Sequence, residues 1–195
     1  MSIVQLKLDD MRGVIPPVTP TSGCFIAGGS VRRWFTGHED LSDVDVFAPA
    51  EENHTAFLEA IGKPAKLIDK TKHASTYLVD GVRVQLIKFF RANIDELFSN
   101  FDFNVCQFAW TEQGVFATQE AVIGVLRGHL AVGKIRKDFA VDSLRRTFKY
   151  QMKGFEPCAG TIRDIARSFI ELTEEEIKKQ VEQSPKGGKR IVRFD

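Results

Sequence analysis

Apolar positions along the chain change their period near residue 117. Before that point they come in short runs of the kind that strands make. Cys24-Phe25-Ile26-Ala27 reads as a buried strand broken by Gly28-Gly29. Ser30 is expected to cap a helix through Val31-Arg32-Arg33-Trp34-Phe35, which Gly37 ends. Ser42 to Phe47 predicts a second strand, and residues 52–61 a helix. Ala65 to Ile68 and Ser75 to Val79 suit short strands, and Val82 to Phe89 a strand entered through a turn at Asp80-Gly81. Ile94 to Ser99 predicts a short helix, and Phe103 to Trp110 a strand or buried segment closed by a turn at Gly114. The first 23 residues, with Pro16, Pro17 and Pro20, read as a short strand or loose lead-in.

Beyond residue 117 the pattern is helical. Ala140, Leu144, Phe148 and Met152 recur at i+4 and predict one apolar face. Thr161 to Leu172 and Glu174 to Gln183 predict two further helices, the second opened by Thr173-Glu174-Glu175-Glu176. The Gly- and Lys-rich stretch Ser184 to Asp195 reads as a mobile tail. The expected architecture is α/β (α+β): a small mixed-sheet domain at residues 1–112, then a basic helical region at 113–195.

Composition narrows the class. Hydrophobic residues make up 43% of the 195, enough for a core. No apolar run approaches the roughly 20 residues of a membrane span. MSIVQLKLDD lacks the segments of a signal peptide. Cys24, Cys106 and Cys158 fit neither a zinc pattern nor a disulfide framework, and His38, His54, His73 and His129 have no ligand spacing. A cytoplasmic protein with no membrane partner is expected; the oligomeric state is left open. The net charge of +1 hides a basic stretch from Arg127 to Lys153, with eight Lys/Arg against two Asp. Phe is common, at 16 copies, mostly as core, with a stacking role for one or two left open.

Two short elements carry candidate chemistry. A strand turning through Gly28-Gly29-Ser30 into a helix lets backbone approach a phosphate closely and offers it free N–H groups, with the Ser30 hydroxyl as a further donor. In Ser42-Asp43-Val44-Asp45-Val46-Phe47, Asp43 and Asp45 project from one strand face while Val44 and Val46 point into the core. Paired carboxylates repel unless a cation lies between them. Magnesium favours such oxygens together with substrate phosphates, and two such ions activate an attacking hydroxyl and steady a leaving pyrophosphate. Alone, the first element reads more readily as an ordinary turn and the second as a pair of surface acids.

Together, at this spacing, they resemble the nucleotidyltransferase superfamily, and most closely the head and neck of bacterial-type CCA-adding enzymes and poly(A) polymerases. The resemblance rests on Phe25-Ile26-Ala27-Gly28-Gly29-Ser30-Val31-Arg32-Arg33 followed by Asp43-Val44-Asp45, and spans roughly residues 24–153. It implies a polymerase-beta-like fold. Arg32 falls on the motif arginine, whereas Arg33 replaces an acid. Gln85 stands where a strand carboxylate is usual, which puts a second metal in doubt. Asp102, in Phe101-Asp102-Phe103-Asn104, matches a family acid, and its alternative is a strand-capping role. Asp142-Ser143-Leu144-Arg145 resembles an Asp-x-Leu-Arg element that reads the incoming base, and its alternative is a helix cap beside a solvated Arg. The long helical body that holds tRNA in the full enzymes is missing, which suggests a compact relative, of the kind a phage or a conflict or modification system carries.

The resemblance therefore implies an NTP-dependent nucleotidyltransferase. Asp43, Asp45 and Asp102 are the candidate catalytic acids, and Asp43 and Asp45 hold Mg2+, with Mn2+ as the alternative. Gly28, Gly29, Ser30, Arg32, Asp142 and Arg145 bind the nucleotide. Arg146, Lys149 and Lys153, on a helix face opposite Leu144/Phe148/Met152, contact an RNA acceptor, best matched to a tRNA-like 3′ end. Lys186 to Arg193 offers a further basic arm. Two other readings stay open: a catalytically reduced nucleotide- or RNA-binding module, motivated by Gln85, and a structural or inhibitory protein that docks through its basic helices.

Overall fold

The computed structural model describes residues 1–38, 43–62 and 64–183; Ser42 and the proposed basic tail lie outside them. An eight-stranded mixed sheet forms the frame, in the order β1-β8-β7-β2-β3-β6-β5-β4. Its strands are β1 (Ile3–Leu6), β2 (Phe25–Ala27), β3 (Val44–Phe47), β4 (Lys66–Lys70), β5 (Ala74–Val79), β6 (Val82–Ile87), β7 (Phe108–Thr111) and β8 (Gly114–Thr118). Only β3 and β6 run parallel among these neighbours. That pair is joined through the β4–β5 excursion, and every other neighbouring pair is antiparallel.

Local sequence explains most of these elements. Phe25, Ile26 and Ala27 are all buried, as a central strand covered on both faces requires. The edge strand β4 is exposed at every position and carries Lys66, Asp69 and Lys70, and its pairing slips between Leu67 and Asp69. Charge and irregularity both discourage pairing with another chain. The β5–β6 hairpin turns through Asp80 and Gly81, both at positive φ (49° and 78°), the conformation that two-residue hairpins favour.

Side chains alternate across β3 as expected. Val44 and Val46 enter a core with Val31 and Trp34 of α1 (Gly29–Thr36) and Phe57 of α2 (Glu51–Ala60). Phe47 faces the other way, joining Phe25, Ala27 and Leu97 and Phe98 of α3 (Ile94–Asn100). Asp45 shares the Phe47 face by strand parity. The Trp34 and Trp110 rings, 4.9 Å apart, and the Phe35 and Phe108 rings, 5.4 Å apart, fix α1 against β7. Gly37, left-handed at φ 79°, ends α1.

The later helices are α4 (Gln119–Arg127), α5 (Ala140–Gln151), α6 (Ala159–Ile170) and α7 (Glu174–Gln183). A two-stranded parallel ribbon, β9 (His129–Leu130) with β10 (Glu156–Pro157), lies among them. Thr173 and Glu176 form the expected capping box of α7: the Thr173 N–H donates to Glu176 Oε2 at 2.7 Å, and the Glu176 N–H to Thr173 Oγ1 at 3.2 Å. A third core of Phe103, Val105, Cys106, Leu130, Tyr150 and Ile165 binds α5 and α6 to the turn that precedes β7.

The face of α5 differs from its sequence reading. Phe148 and Met152 are 58% and 86% exposed, while Ala140, Val141, Ser143, Thr147 and Tyr150 are buried. Serine and threonine complete the inward stripe, and the Thr147 hydroxyl is satisfied within the helix, donating to the Ser143 carbonyl at 3.0 Å. Of the stripe that hydropathy periodicity predicts, Ala140 and Leu144 do face inwards, and Phe148 and Met152 do not.

Candidate active site

The turn after β2 is the first part of the site. Gly28 adopts φ 82° and ψ −132°, a region open to glycine. Its N–H donates to the Phe108 carbonyl at 2.8 Å, and its carbonyl accepts from Arg32 N at 3.1 Å. Gly28 is thus the N-cap of α1, and Ser30 is an early helical residue rather than the cap. The Ser30 hydroxyl is buried and has no hydrogen-bond partner among the described residues. A Cβ built on Gly28 lies 3.9 Å from Asp45 Oδ2, and one on Gly29 lies 3.8 Å from Arg33 Nη2. The glycine turn, Asp45 and Arg33 therefore share one small volume at the positive end of α1.

Asp45 sits in register between Ala27 and Gln85 on its two neighbouring strands. Burial, and secondarily the charge of Asp43, pushes its carboxyl up to about 6; Arg146, Lys149 and Arg33 pull the other way. Cations of both α1 and α5 thus act on this one carboxylate. Asp43 is more exposed and already engaged: Arg83 Nε lies 3.3 Å from Oδ1, and Gln85 Nε2 donates to Oδ2 at 2.9 Å.

The donor set tests the fit of a divalent ion. Two carboxylates on one strand face, one of them raised by burial and then by the other, suit a single hard cation completed by water and phosphate oxygens. They do not supply a third carboxylate. Among the described residues no cluster of three or more His, Cys, Asp or Glu is placed to hold a metal.

Several sequence-predicted residues take other positions. Arg32 is only 3% exposed. Its guanidinium lies 5.2 Å from the Tyr150 ring centroid and 5.3 Å from that of Phe155, and donates to the Val105 carbonyl at 3.3 Å. It packs α5 against the core, where a phosphate-neutralising cation would face outwards. Asp102 pairs with Arg146 (Oδ2 to Nε, 3.1 Å), its side chain 13% exposed. Burial raises the Asp102 carboxyl, opposed by Arg146. Burial works against the Arg146 charge, but Asp102, Cys106 and Tyr150 outweigh it and keep the guanidinium protonated. Arg146 Nη2 also lies 3.3 Å from both Cys106 Sγ and Tyr150 Oη. Asp102 thus tethers α5 rather than presenting an open catalytic acid.

Lys149 and Lys153 complete the cationic wall. Lys153 Nζ lies 5.9 Å from the Tyr150 ring. Burial first, and then the like charges of Arg32, Lys149 and Arg33, pushes the Lys153 ammonium down to about 8. Asp142 is half-buried, close enough to Asp102 to raise its carboxyl, and Arg145 is exposed. Two participants escape a sequence reading: Arg83 and Tyr150. Arg83 precedes Gln85 by two residues, which puts both on one strand face, and Tyr150 follows Arg146 by four, one helical turn. Neither spacing says what lies opposite.

No curated protein matches. The Thermotoga maritima CCA-adding enzyme complexed with tRNA is similar in structure, with a TM-score of 0.56 at 19% identity over 82% of this chain and 42% of that one. A CCA-adding enzyme with CTP gives 0.58 at 18% over 82% and 43%. The Bacillus stearothermophilus CCA-adding enzyme in complex with CTP gives 0.51 at 16% over the same shares. The chain has the nucleotidyltransferase fold of the heads of these enzymes and corresponds to less than half of their length. A family model described as Gabija anti-defense 2 family protein matches residues 5–125, more than half of the 195, and the chain belongs to that family.

Proposed function

We propose that this protein is an NTP-dependent nucleotidyltransferase, transferring a nucleoside monophosphate to an acceptor hydroxyl with release of pyrophosphate. The observation that carries the reading is the glycine turn, with Asp45 against Gly28 and Arg33 against Gly29, beside the α5 cations Arg146 and Lys149 whose charge acts on Asp45. A triphosphate would lie against the amides at the start of α1, its charge met by Arg33, Lys149 and Lys153. Asp43 and Asp45 would hold Mg2+, which supplies charge neutralisation at the phosphates when bound. Catalysis of this type depends on positioning and electrostatics, and no covalent nucleophile is needed.

An RNA 3′ end is the acceptor we favour. It is supported by the basic, exposed Arg145 and Lys149 on α5 and Lys153 in the turn just beyond its end, and by the likeness to a fold whose solved examples hold tRNA and CTP. The family name supports a biological setting in which the transfer counters the Gabija defence. Incubation with each labelled nucleotide, Mg2+ and total RNA tests the proposal. Label should enter RNA and be lost in Asp45→Asn; full transfer by that variant would sink it. A second reading, a nucleotide-binding module without turnover, draws on Gln85 and Arg83 occupying Asp43. Calorimetric NTP binding with no product by mass spectrometry, across RNA, protein and small-molecule acceptors, would favour it.

A further inference from the structure

The neighbours of Asp43 do more than leave a carboxylate out. β6 runs parallel to β3, with Gln85 in register with Asp45. Gln85 and Arg83, two residues apart on β6, therefore reach the same side of the sheet as Asp43 and Asp45. Each takes a different oxygen of Asp43: Arg83 Nε at Oδ1 (3.3 Å) and Gln85 Nε2 at Oδ2 (2.9 Å). A carboxylate that bridges two divalent ions needs both oxygens for them. Here one oxygen has an exposed guanidinium as its partner and the other an amide donor. Asp45 has different surroundings: it lies in register between Ala27 and Gln85, with the Gly28 turn against its Oδ2.

We propose that Arg83 and Gln85 make this a one-ion site, in which the Arg83 guanidinium supplies beside Asp43 the positive charge that a second divalent ion would. The inference rests on the nucleotide-site reading above but concerns ion number and not turnover. Arg83 is 53% exposed at its side chain and Asp43 48%, so their pair is a weak surface contact. An incoming ion displaces it at modest cost. Arg83 then stays beside the site as a cation free to meet a phosphate oxygen, and is a positioning residue for the charge of the bound nucleotide. Gln85 cannot become a charged ligand, which fixes the count at one.

Counting Mn2+ by electron paramagnetic resonance on the full chain tests this without an acceptor. Wild type should bind one Mn2+ per chain, and Gln85→Glu, which restores a carboxylate at that register, should bind two. Arg83→Gln should keep one ion and bind it about two- to fivefold more tightly, the effect of removing a competing surface ion pair. Two ions, or none, on the wild type would overturn the proposal, as would one ion on Gln85→Glu or an unchanged Kd in Arg83→Gln. A chain that counts one ion yet transfers no nucleotide keeps this inference and loses the transferase reading.

Discussion

Replacing Gly28 by Ala isolates the backbone conformation that makes the turn. At φ 82° and ψ −132° an L side chain is strained regardless of space. Space itself is not the obstacle, because the nearest atom to the added Cβ is Asp45 Oδ2 at 3.9 Å, an ordinary contact. The cost is therefore conformational, about 1–3 kcal/mol. A domain of this size loses roughly 2–4 °C of Tm per kcal/mol, so the expected drop is about 2–12 °C. Gly29 is the internal control. It begins α1, its φ is not positive, and its Cβ would meet Arg33 Nη2 at 3.8 Å. Gly29→Ala should be neutral or up to about 1 kcal/mol stabilising, as alanine is in a helix. Urea unfolding of both variants, with matched m-values, is the assay. If Gly28→Ala stays within about 0.5 kcal/mol of the wild type, or if Gly29→Ala loses as much, the turn geometry argued here is wrong.

Three further outcomes follow from the charges and packing. Because the folded Asp45 carboxyl is raised from an ordinary 3.8 to about 6, its neutral form favours folding, and that contribution is lost as pH rises from about 4 through 6. Asp45→Asn should therefore be more stable than wild type at pH 7.5, by up to about 3 kcal/mol, with the gap closing below pH 4; a gap that widens in acid would contradict the sign. Arg146→Met strands the Asp102 charge. With Arg146 42% exposed at its side chain, the loss should be about 2–3 kcal/mol, below that of a fully buried pair, and thermal unfolding should show it. On α5, Phe148→Ser should change stability by less than about 0.5 kcal/mol, while Tyr150→Ala should cost about 3 kcal/mol or more. The reverse order in chemical denaturation would restore the hydropathy-based face.

The sequence by itself determined the elements whose signals are local. Gly37 and Asp80-Gly81 mark their turns through backbone conformations that few residues tolerate. Strand parity put Asp43 and Asp45 on one face and Val44 and Val46 on the other. The Gly28-Gly29 turn was legible for the same reason, because its chemistry lies in consecutive residues. The cap was misassigned to Ser30 because a glycine N-cap leaves no side-chain signature, and composition favours the serine beside it.

Only the tertiary structure decided what lies across from each residue. Arg32, Arg146 and Lys153 look alike in sequence, as cations at helical spacing. Packing separates them: Arg32 is enclosed by Tyr150 and Phe155, Arg146 is held by Asp102, and Lys153 is left among like charges. The parallel register of β3 and β6 joins residues 43 and 85, and so decides that Asp43 meets Gln85 and Arg83. Contacts between residues far apart in the chain are set by how strands and helices dock, and periodicity within a strand or helix carries no record of its partner.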